Sequence, residues 1–250
     1  MVEAVPVSLA PLFPFASGVM PFKLGGNVVF RVGMCVLLLG VTQGVNLSSF
    51  QDLLVSGHTE LPPEDLVIDM RDHLAEGGTR VQNEQTVLDF WWVSNLPATK
   101  DLGSDRLSWE MVQEGSLVGA VRISKAYKDI RGRTINAGVY TLRFGVQPAD
   151  GDHLGISPYR EFLLLSPASE DKNGGPISHN DLIGLSMRSI NISHPAVWSL
   201  DPPVTDVELL TVQPTDDGHT AVVFEVPVSY EQQVGSSLRF SLILVGLIEF

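Results

Sequence analysis

The sequence predicts an all-β protein, an antiparallel β-sandwich of the Ig-like or jelly-roll-like kind with one or two short helices. The clearest observation is the segment 139–146, where Tyr140, Leu142 and Phe144 alternate with other side chains as on a strand with one buried face. A second observation is the aromatic and β-branched run at 86–93. Similar segments recur along the chain, separated by turns rich in Gly, Pro and Asp and without regular helices between them.

The remaining strands follow from the same two signals. With 86–93 and 139–146 already given, the others are expected at 107–112, 117–124, 127–131, 161–165, 206–212, 221–228 and 238–250. The side chains expected in the core are Phe90, Trp92, Val118, Val121, Tyr140, Leu142, Phe144, Phe162, Leu164, Val223, Phe240, Leu242 and Leu244. The tryptophans could instead form a platform for stacking sugars. Because Trp91 and Trp92 point to opposite faces of a strand, core packing is favoured and at most one of this pair is expected to be exposed.

Two short helices are expected beside the strands. The first is expected at 62–74, where two prolines and two acidic residues are followed by Leu66, Met70 and Leu74 at every fourth position. The residues 66–68 are equally compatible with a short strand. The second helix is expected at 180–190, with Ser178 or Asn180 as its N-cap.

The segment 20–44 has the pattern of an export signal that starts at an internal methionine, Met20. Lys23 and Arg31 precede an apolar run at 32–41, which is too short to span a bilayer, and small residues follow before Val45. A buried core strand is the alternative, but it would leave the basic flank and the small residues unexplained. The pattern therefore predicts cleavage near Val45 and a periplasmic or secreted protein.

Composition limits what the exported part can bind. We expect 1–44 to be an extended N-terminus plus signal peptide and 45–250 to be one β-sandwich domain. The whole chain carries a formal charge of −13, so nucleic acid is an unfavourable partner, and no membrane insertion is expected after signal cleavage. The single cysteine, Cys35, lies in the signal, so the exported domain has no disulfide and must be stabilised by its core.

The polar loop 147–160 is the first candidate site, because it joins two predicted strands and is longer than a hairpin requires. Its ligand-binding candidates are Asp150, Asp152, His153, Tyr159 and Arg160. The alternative is a structural loop in which Asp150 and Asp152 cap turns and Arg160 pairs with one of them.

Three histidines could form a metal site if the fold brings their loops together. His153 with His179 and His194 would suit zinc or copper, whereas the carboxylates of the loop alone would suit calcium. The histidine–glutamate motif of zinc hydrolases and paired cysteine ligands are both absent from the sequence. The competing interpretation is that these histidines are solvated or hydrogen-bonded surface residues.

Several segments of the chain resemble a group of uncharacterised secreted β-rich proteins of environmental bacteria. The matching segments are LDFWWV at 88–93, LVGAVRIS at 117–124, the long segment 137–171 and SHPAV at 193–197. The resemblance implies bacterial export and a β fold. It implies no activity and no catalytic residue.

The sequence favours an exported, non-enzymatic module that binds an unknown ligand or protein through the loops at one end of the sandwich. No nucleophile elbow, phosphate-binding loop or dinucleotide motif is present, and no cofactor is expected. The alternative is a metal-dependent or carboxylate-based extracytoplasmic enzyme that uses the 147–160 loop, with a divalent metal ion as its cofactor.

Overall fold

The structure is a computed structural model that describes residues 53–100, 107–148, 159–190, 194–201, 207–231 and 233–246. The chain separates into two units, Met1–Val45 and Asn46–Phe250, and the description below concerns the second. The predicted export signal lies outside the described residues, as do Asp150, Asp152 and His153.

Strands dominate the described part of the chain, as the sequence predicts. They are β1 (Leu54–His58), β2 (Gly78–Gln82), β3 (Val87–Trp92), β4 (Leu96–Pro97), β5 (Leu117–Ile123), β6 (Tyr127–Lys128), β7 (Thr134–Ile135), β8 (Gly138–Val146), β9 (Glu161–Pro167), β10 (Val197–Asp201), β11 (Val212–Pro214), β12 (Thr220–Tyr230) and β13 (Gln233–Val245). The helices are α1 (Ile68–His73) and α2 (His179–Met187), with a short 3₁₀ turn at Trp109–Met111.

One large sheet contains all of these strands except β6 and β7, which pair with each other. Its order is β1-β2-β3-β5-β8-β9-β10-β13-β12-β11, and β4 joins β12 outside this path. The neighbours along the path pair antiparallel, whereas β4 pairs parallel with β12. β10 divides the path into two arms, β1-β2-β3-β5-β8-β9 and β13-β12-β11. Because β4 follows β3 closely in the chain and pairs with β12, it connects the first arm to the second. The result is a curled, mixed sheet that forms a half-barrel.

The β-rich class is therefore confirmed, while the two separate antiparallel sheets of a sandwich are not. The reason lies in β10, which pairs on both sides. Val197–Ser199 bond to β9, and Leu200 and Asp201 bond to β13. This strand joins the two arms into one hydrogen-bonded path.

Aromatic side chains fill the inside of the curled sheet. The Phe90 ring of β3 lies 5.3 Å from the Phe224 ring of β12, and the Trp92 ring lies 5.2 Å from that of Phe240 in β13, between centroids. All the core residues predicted from the sequence are buried. Two of them, Phe162 and Leu164, belong to a separate apolar cluster beneath α2 rather than to the aromatic core.

All four tryptophans are buried, which confirms core packing over a sugar-stacking platform. Trp91 and Trp92 do point to opposite faces, but the outer face is also covered. Trp91 donates from Nε1 to the Glu60 carbonyl oxygen at 2.8 Å and packs edge-on against His58, and the Arg122 guanidinium lies over its ring. Neither member of the pair is therefore exposed.

Two strand predictions are wrong. The segment 107–112 contains the 3₁₀ turn, because Trp109 stacks on Phe144 and against Phe240 at the end of the core and the chain turns to place it there. Within 206–212, Leu209 and Leu210 form a turn in which Leu210 has a φ of 61°, and only Val212 belongs to a strand. The sequence also missed β1, β2, β4, β7 and β10, and of β11 it included only Val212.

Both helix predictions are confirmed in part. The first helix begins at Ile68 instead of the prolines, yet the three spaced apolar residues Leu66, Met70 and Leu74 are all buried as predicted. In α2, the Ser178 hydroxyl accepts a hydrogen bond from the Asp181 N–H, which is an N-cap. Among the described residues, no helix has the length and apolar character needed to cross a membrane.

Candidate ligand-binding cavity

A cavity of about 280 Å³ lies between α2 and the sheet, on the face opposite the aromatic core. Parts of α2, β8, β9 and β10 surround it, together with the β6–β7 hairpin and the segment before β5. Its lining residues are Glu114, Arg131, Gly145, Val146, Gln147, Pro148, Phe162, Leu164, His179, Leu182, Ile183, His194, Pro195 and Val197.

The floor of the cavity is apolar because alternate residues of neighbouring strands share one face. Phe162 and Leu164 of β9 lie two residues apart, and Val197 of β10 is the direct register partner of Leu164. Leu182 of α2 closes this cluster from above. At Gly145, an added Cβ would come 2.3 Å from the Leu164 side chain, so the glycine makes room for this packing.

The β6–β7 hairpin presents Arg131 to the cavity. Its turn is organised by Asp129, whose fully buried carboxylate accepts the backbone N–H groups of Arg131 and Arg133 at 3.0 and 2.9 Å. The same carboxylate pairs with Nε of Arg133 at 3.0 Å. Gly132 lies between the two arginines with a φ of 73°, a conformation that favours glycine. Asp129 therefore neutralises Arg133 and leaves Arg131 to the cavity.

His194 lies between these two arginines. Nη1 of Arg131 is 3.2 Å from its Nε2, and Nη1 of Arg133 is 2.7 Å from its Nδ1. A neutral imidazole accepts a hydrogen bond at only one of its two nitrogens. At most one of the two guanidinium groups can therefore donate to the ring, and Nη1 of Arg133 has the Pro195 carbonyl oxygen as a further acceptor, at 3.3 Å. Nδ1 is also 2.9 Å from the Pro195 carbonyl oxygen, to which it can donate.

The charge of Arg131 is poorly compensated. Burial lowers the pKa of its guanidinium, and the neighbouring charge of Arg133 lowers it further, while Asp129 opposes this shift. Within the described part of the chain, Arg131 forms no ion pair with a carboxylate.

Across the cavity, Glu114 pairs with His179 of α2. Oε1 of Glu114 lies 3.0 Å from Nδ1 of His179 and also accepts the Val146 N–H at 3.0 Å. Both side chains are partly exposed. A carboxylate at Nδ1 holds the imidazole tautomer in which Nε2 can accept a proton. The pair can therefore act as an acceptor or a base at the cavity mouth.

The cavity brings together two of the three histidines singled out as metal ligands, His179 and His194. Among the described residues, no group of three His, Cys, Asp or Glu side chains could hold a metal ion. The part of the prediction that involves His153 lies outside them and stays a prediction. The two arginines at His194 make that position unfavourable for a cation, because like charges repel.

The structure places the other two predicted site residues away from the cavity lining. Arg160 donates from Nε and Nη2 to the Gln147 carbonyl oxygen at 3.0 and 2.6 Å. These hydrogen bonds join the two ends of the 147–160 loop. Tyr159 lies in the electrostatic field of three aspartates outside the cavity lining. Burial raises the pKa of its hydroxyl, and the charges of Asp201, Asp216 and Asp217 add to that shift.

Sequence reasoning missed Arg131 and Glu114. A signal for Arg131 was present in the turn 129–133, where one aspartate precedes two arginines that flank a glycine, because one carboxylate cannot neutralise both arginines. Glu114 had no comparable signal, since it precedes an ordinary glycine turn.

No family model, curated protein or solved structure matches this chain. By its described residues, the chain is a β-rich protein with a cavity between α2 and the sheet.

Proposed function

We propose that this protein is a non-enzymatic binding module that takes up a small organic molecule in the cavity beneath α2. The observation that supports the proposal is the combination of a buried apolar floor with a few ionisable groups at the mouth. Ligand sites in proteins have this composition, and their volumes begin at about 300 Å³. The cavity, at about 280 Å³, suits a compact ligand.

The lining residues favour binding over covalent catalysis. None of the described lining residues carries a hydroxyl, thiol or amine, and the one carboxylate, that of Glu114, is engaged with His179 and the Val146 N–H. Gln147 and Pro148, at the start of the 147–160 loop, contribute to the lining. This position agrees with the expectation that loops at one end of the fold carry the function.

A cavity-filling variant tests the proposal. Ile183 lines the cavity and is half-buried, whereas Leu185 is half-buried on the same helix and does not line it. We expect saturation-transfer NMR to detect 1-hexanol and hexanoate on the wild type and on Leu185→Trp, and to lose both signals on Ile183→Trp. Equal signals for the two variants, with both folded by circular dichroism, would place binding elsewhere.

A second candidate function rests on the Glu114–His179 pair, which has the geometry of a carboxylate-supported general base. In this version the protein is an extracytoplasmic hydrolase whose histidine activates water above the apolar floor. Hydrolysis of p-nitrophenyl hexanoate would then be lost in His179→Gln and retained in Glu110→Gln. Equal rates for both variants and for buffer would remove this candidate.

The metal-dependent form of the enzyme requires His153. Elemental analysis of protein purified without added metal, compared with His153→Ala, tests it. A wild type that holds no metal and gains no thermal stability from zinc, copper or calcium would argue against this form.

The proposal includes an extracytoplasmic location, supported by the export pattern at 20–44. N-terminal sequencing of the native protein should show a start near Val45, and intact protein in the cytoplasm would contradict this location. The finer description of the fold as a sandwich, with the two arms of the sheet as its layers, also remains part of the proposal.

A further inference from the structure

We infer that the cavity selects a monoanionic organic acid, whose carboxylate is bound by Arg131 beside His194 and whose apolar body lies on the floor formed by Phe162, Leu164 and Leu182. The inference rests on the proposed binding function and names the chemical class of its ligand.

The hydrogen-bond balance at the hairpin is the first support. The guanidinium groups of Arg131 and Arg133 both approach the ring of His194, which can accept from only one of them. Nη2 of Arg133 is moreover buried without a hydrogen-bond partner among the described residues. Nη1 of Arg133 has the Pro195 carbonyl oxygen as a further acceptor, but Nη2 has none, so among the described residues around the hairpin the donors still outnumber the acceptors. A carboxylate supplies only acceptors and binds arginine through two parallel hydrogen bonds.

Charge is the second support, and it indicates a single negative charge on the ligand. Asp129 neutralises Arg133, and across the cavity Glu114 is engaged with His179 and the Val146 N–H. One positive charge, that of Arg131, contacts His194 but is left without a carboxylate partner among the described residues. Because the chain as a whole carries −13, it does not attract anions from a distance, so recognition must come from short contacts.

The third support is that the polar and apolar parts of the lining are separate. Arg131 would bind the carboxylate, which is the head of the ligand, and the apolar floor would bind its hydrocarbon body. Phe162, Leu164 and Leu182 are buried and offer no hydrogen bond, so the floor favours an alkyl or aryl group. A small hydrated anion gains nothing from this floor. A divalent cation would meet Arg131 instead of a carboxylate.

Calorimetric titration with matched probes tests the inference. Hexanoate and hexanamide share a body and differ in charge, whereas acetate has the head without the body. We expect the wild type to bind hexanoate at least tenfold more tightly than hexanamide and to bind acetate too weakly to measure. Arg131→Gln should remove the preference for hexanoate, and Arg131→Lys should keep part of it because the charge remains without the planar fork.

Arg188→Gln is the matched control, since Arg188 is an exposed arginine that pairs with Glu170 away from the cavity. It should keep the full preference, and circular dichroism establishes that each variant is folded. If hexanamide binds as tightly as hexanoate, and Ile183→Trp abolishes both, the ligand class is wrong while the binding function stands. If none of the probes, 1-hexanol included, binds the wild type, both proposals fail.

Discussion

Arg143 of β8 and Arg131 of the β6–β7 turn have opposite surroundings. Arg143 is fully buried, and its Nε and Nη2 pair with the two carboxylate oxygens of Asp171 at 2.6 and 2.9 Å. Its Nη1 donates to the carbonyl oxygens of Gly115 and Gly175, and Nη2 also donates to that of Asn173. Arg131 lines the cavity and contacts His194, which also contacts a second arginine, Arg133.

The comparison separates a structural arginine from a candidate ligand-binding one. Every nitrogen of the Arg143 guanidinium has an acceptor from the protein, so its role is complete without a ligand: it ties β8 to the segment before α2. Among the described residues, the donors around Arg131 exceed their acceptors. Burial of a charge is costly unless partners compensate for it. An uncompensated cation that lines a cavity is therefore where we expect a ligand to supply the missing acceptor.

The largest effect should come from removing the partner of Arg143. Asp171→Ala leaves a buried guanidinium without its carboxylate, so we expect the free energy of unfolding to fall by about 3–5 kcal/mol. Urea denaturation measures it. Glu170→Ala, the exposed neighbour that pairs with Arg188, should cost about 1 kcal/mol or less. Similar losses for both variants would contradict a structural role for the Arg143–Asp171 pair.

Gly115 accepts a hydrogen bond from Arg143 and directly follows Glu114, which lines the cavity. Its replacement should have the next largest effect on stability. Its φ is +84°, an added Cβ would lie 2.0 Å from the Ile177 carbonyl oxygen, and its own carbonyl accepts from Arg143. Gly115→Ala should therefore cost about 2–4 kcal/mol of unfolding free energy. Gly184→Ala, at a helical position with open space around it, should instead stabilise by about 0.5–1 kcal/mol. Thermal denaturation of both variants checks the contrast.

A further arginine cluster lies on the outer face of β2, β3 and β5, where Arg80 and Arg122 pair with Asp89 and Glu60. Its contribution to stability should depend on pH. Burial alone would raise the pKa of Asp89, but hydrogen bonds from Arg80 and Arg122 outweigh it and lower that pKa. Asp89 therefore stabilises the fold above the pKa of an unfolded aspartate, about 3.9, and loses this contribution as the pH falls through its lower folded value.

Asp89→Asn should accordingly destabilise by about 1.5–3 kcal/mol at pH 7, because two hydrogen bonds to charged groups weaken. The difference from the wild type should shrink as the pH falls below about 4. Urea denaturation at several pH values measures it. Glu60→Gln, at the half-exposed acid that contacts the same arginines, should have a smaller effect. A pH-independent difference for Asp89→Asn would exclude ionic stabilisation.

The smallest effect is expected at Arg131 itself. Without ligand, Arg131→Gln removes an uncompensated charge, so we expect the free energy of unfolding to change by less than about 0.5 kcal/mol, or to rise slightly. A loss as large as that of Asp171→Ala would mean that Arg131 is a structural residue like Arg143. Differential scanning calorimetry of the ligand-free protein decides between the two.

Local patterns predicted much of the fold because they report burial of one face. The alternation in β8 and the aromatic run of β3 depend on neighbouring residues alone, and so does the Ser178 cap of α2. Short or mixed segments failed. Of the five residues of β1, Leu54 is exposed at the sheet edge, so β1 shows no such pattern.

The candidate site was predictable only in fragments. His179 and His194 stood out as polar residues near turns, and both line the cavity. Their partners could not be predicted, because Glu114 is 65 residues from His179 and Arg131 is 63 residues from His194. Sequence spacing carries no information about such contacts.

By itself, the sequence determined the β-rich class, the buried residues of the main strands and the capped helix, since each follows from the period of apolar side chains or from a local hydrogen bond. Only the tertiary structure decided that the strands join into one curled sheet and that Trp91 is covered on the outer face. It also decided that Arg131 and His194 meet above an apolar floor. These features arise from pairing and packing between distant segments, where the hydrogen-bond and charge balance of a residue is set by neighbours that its own sequence context does not contain.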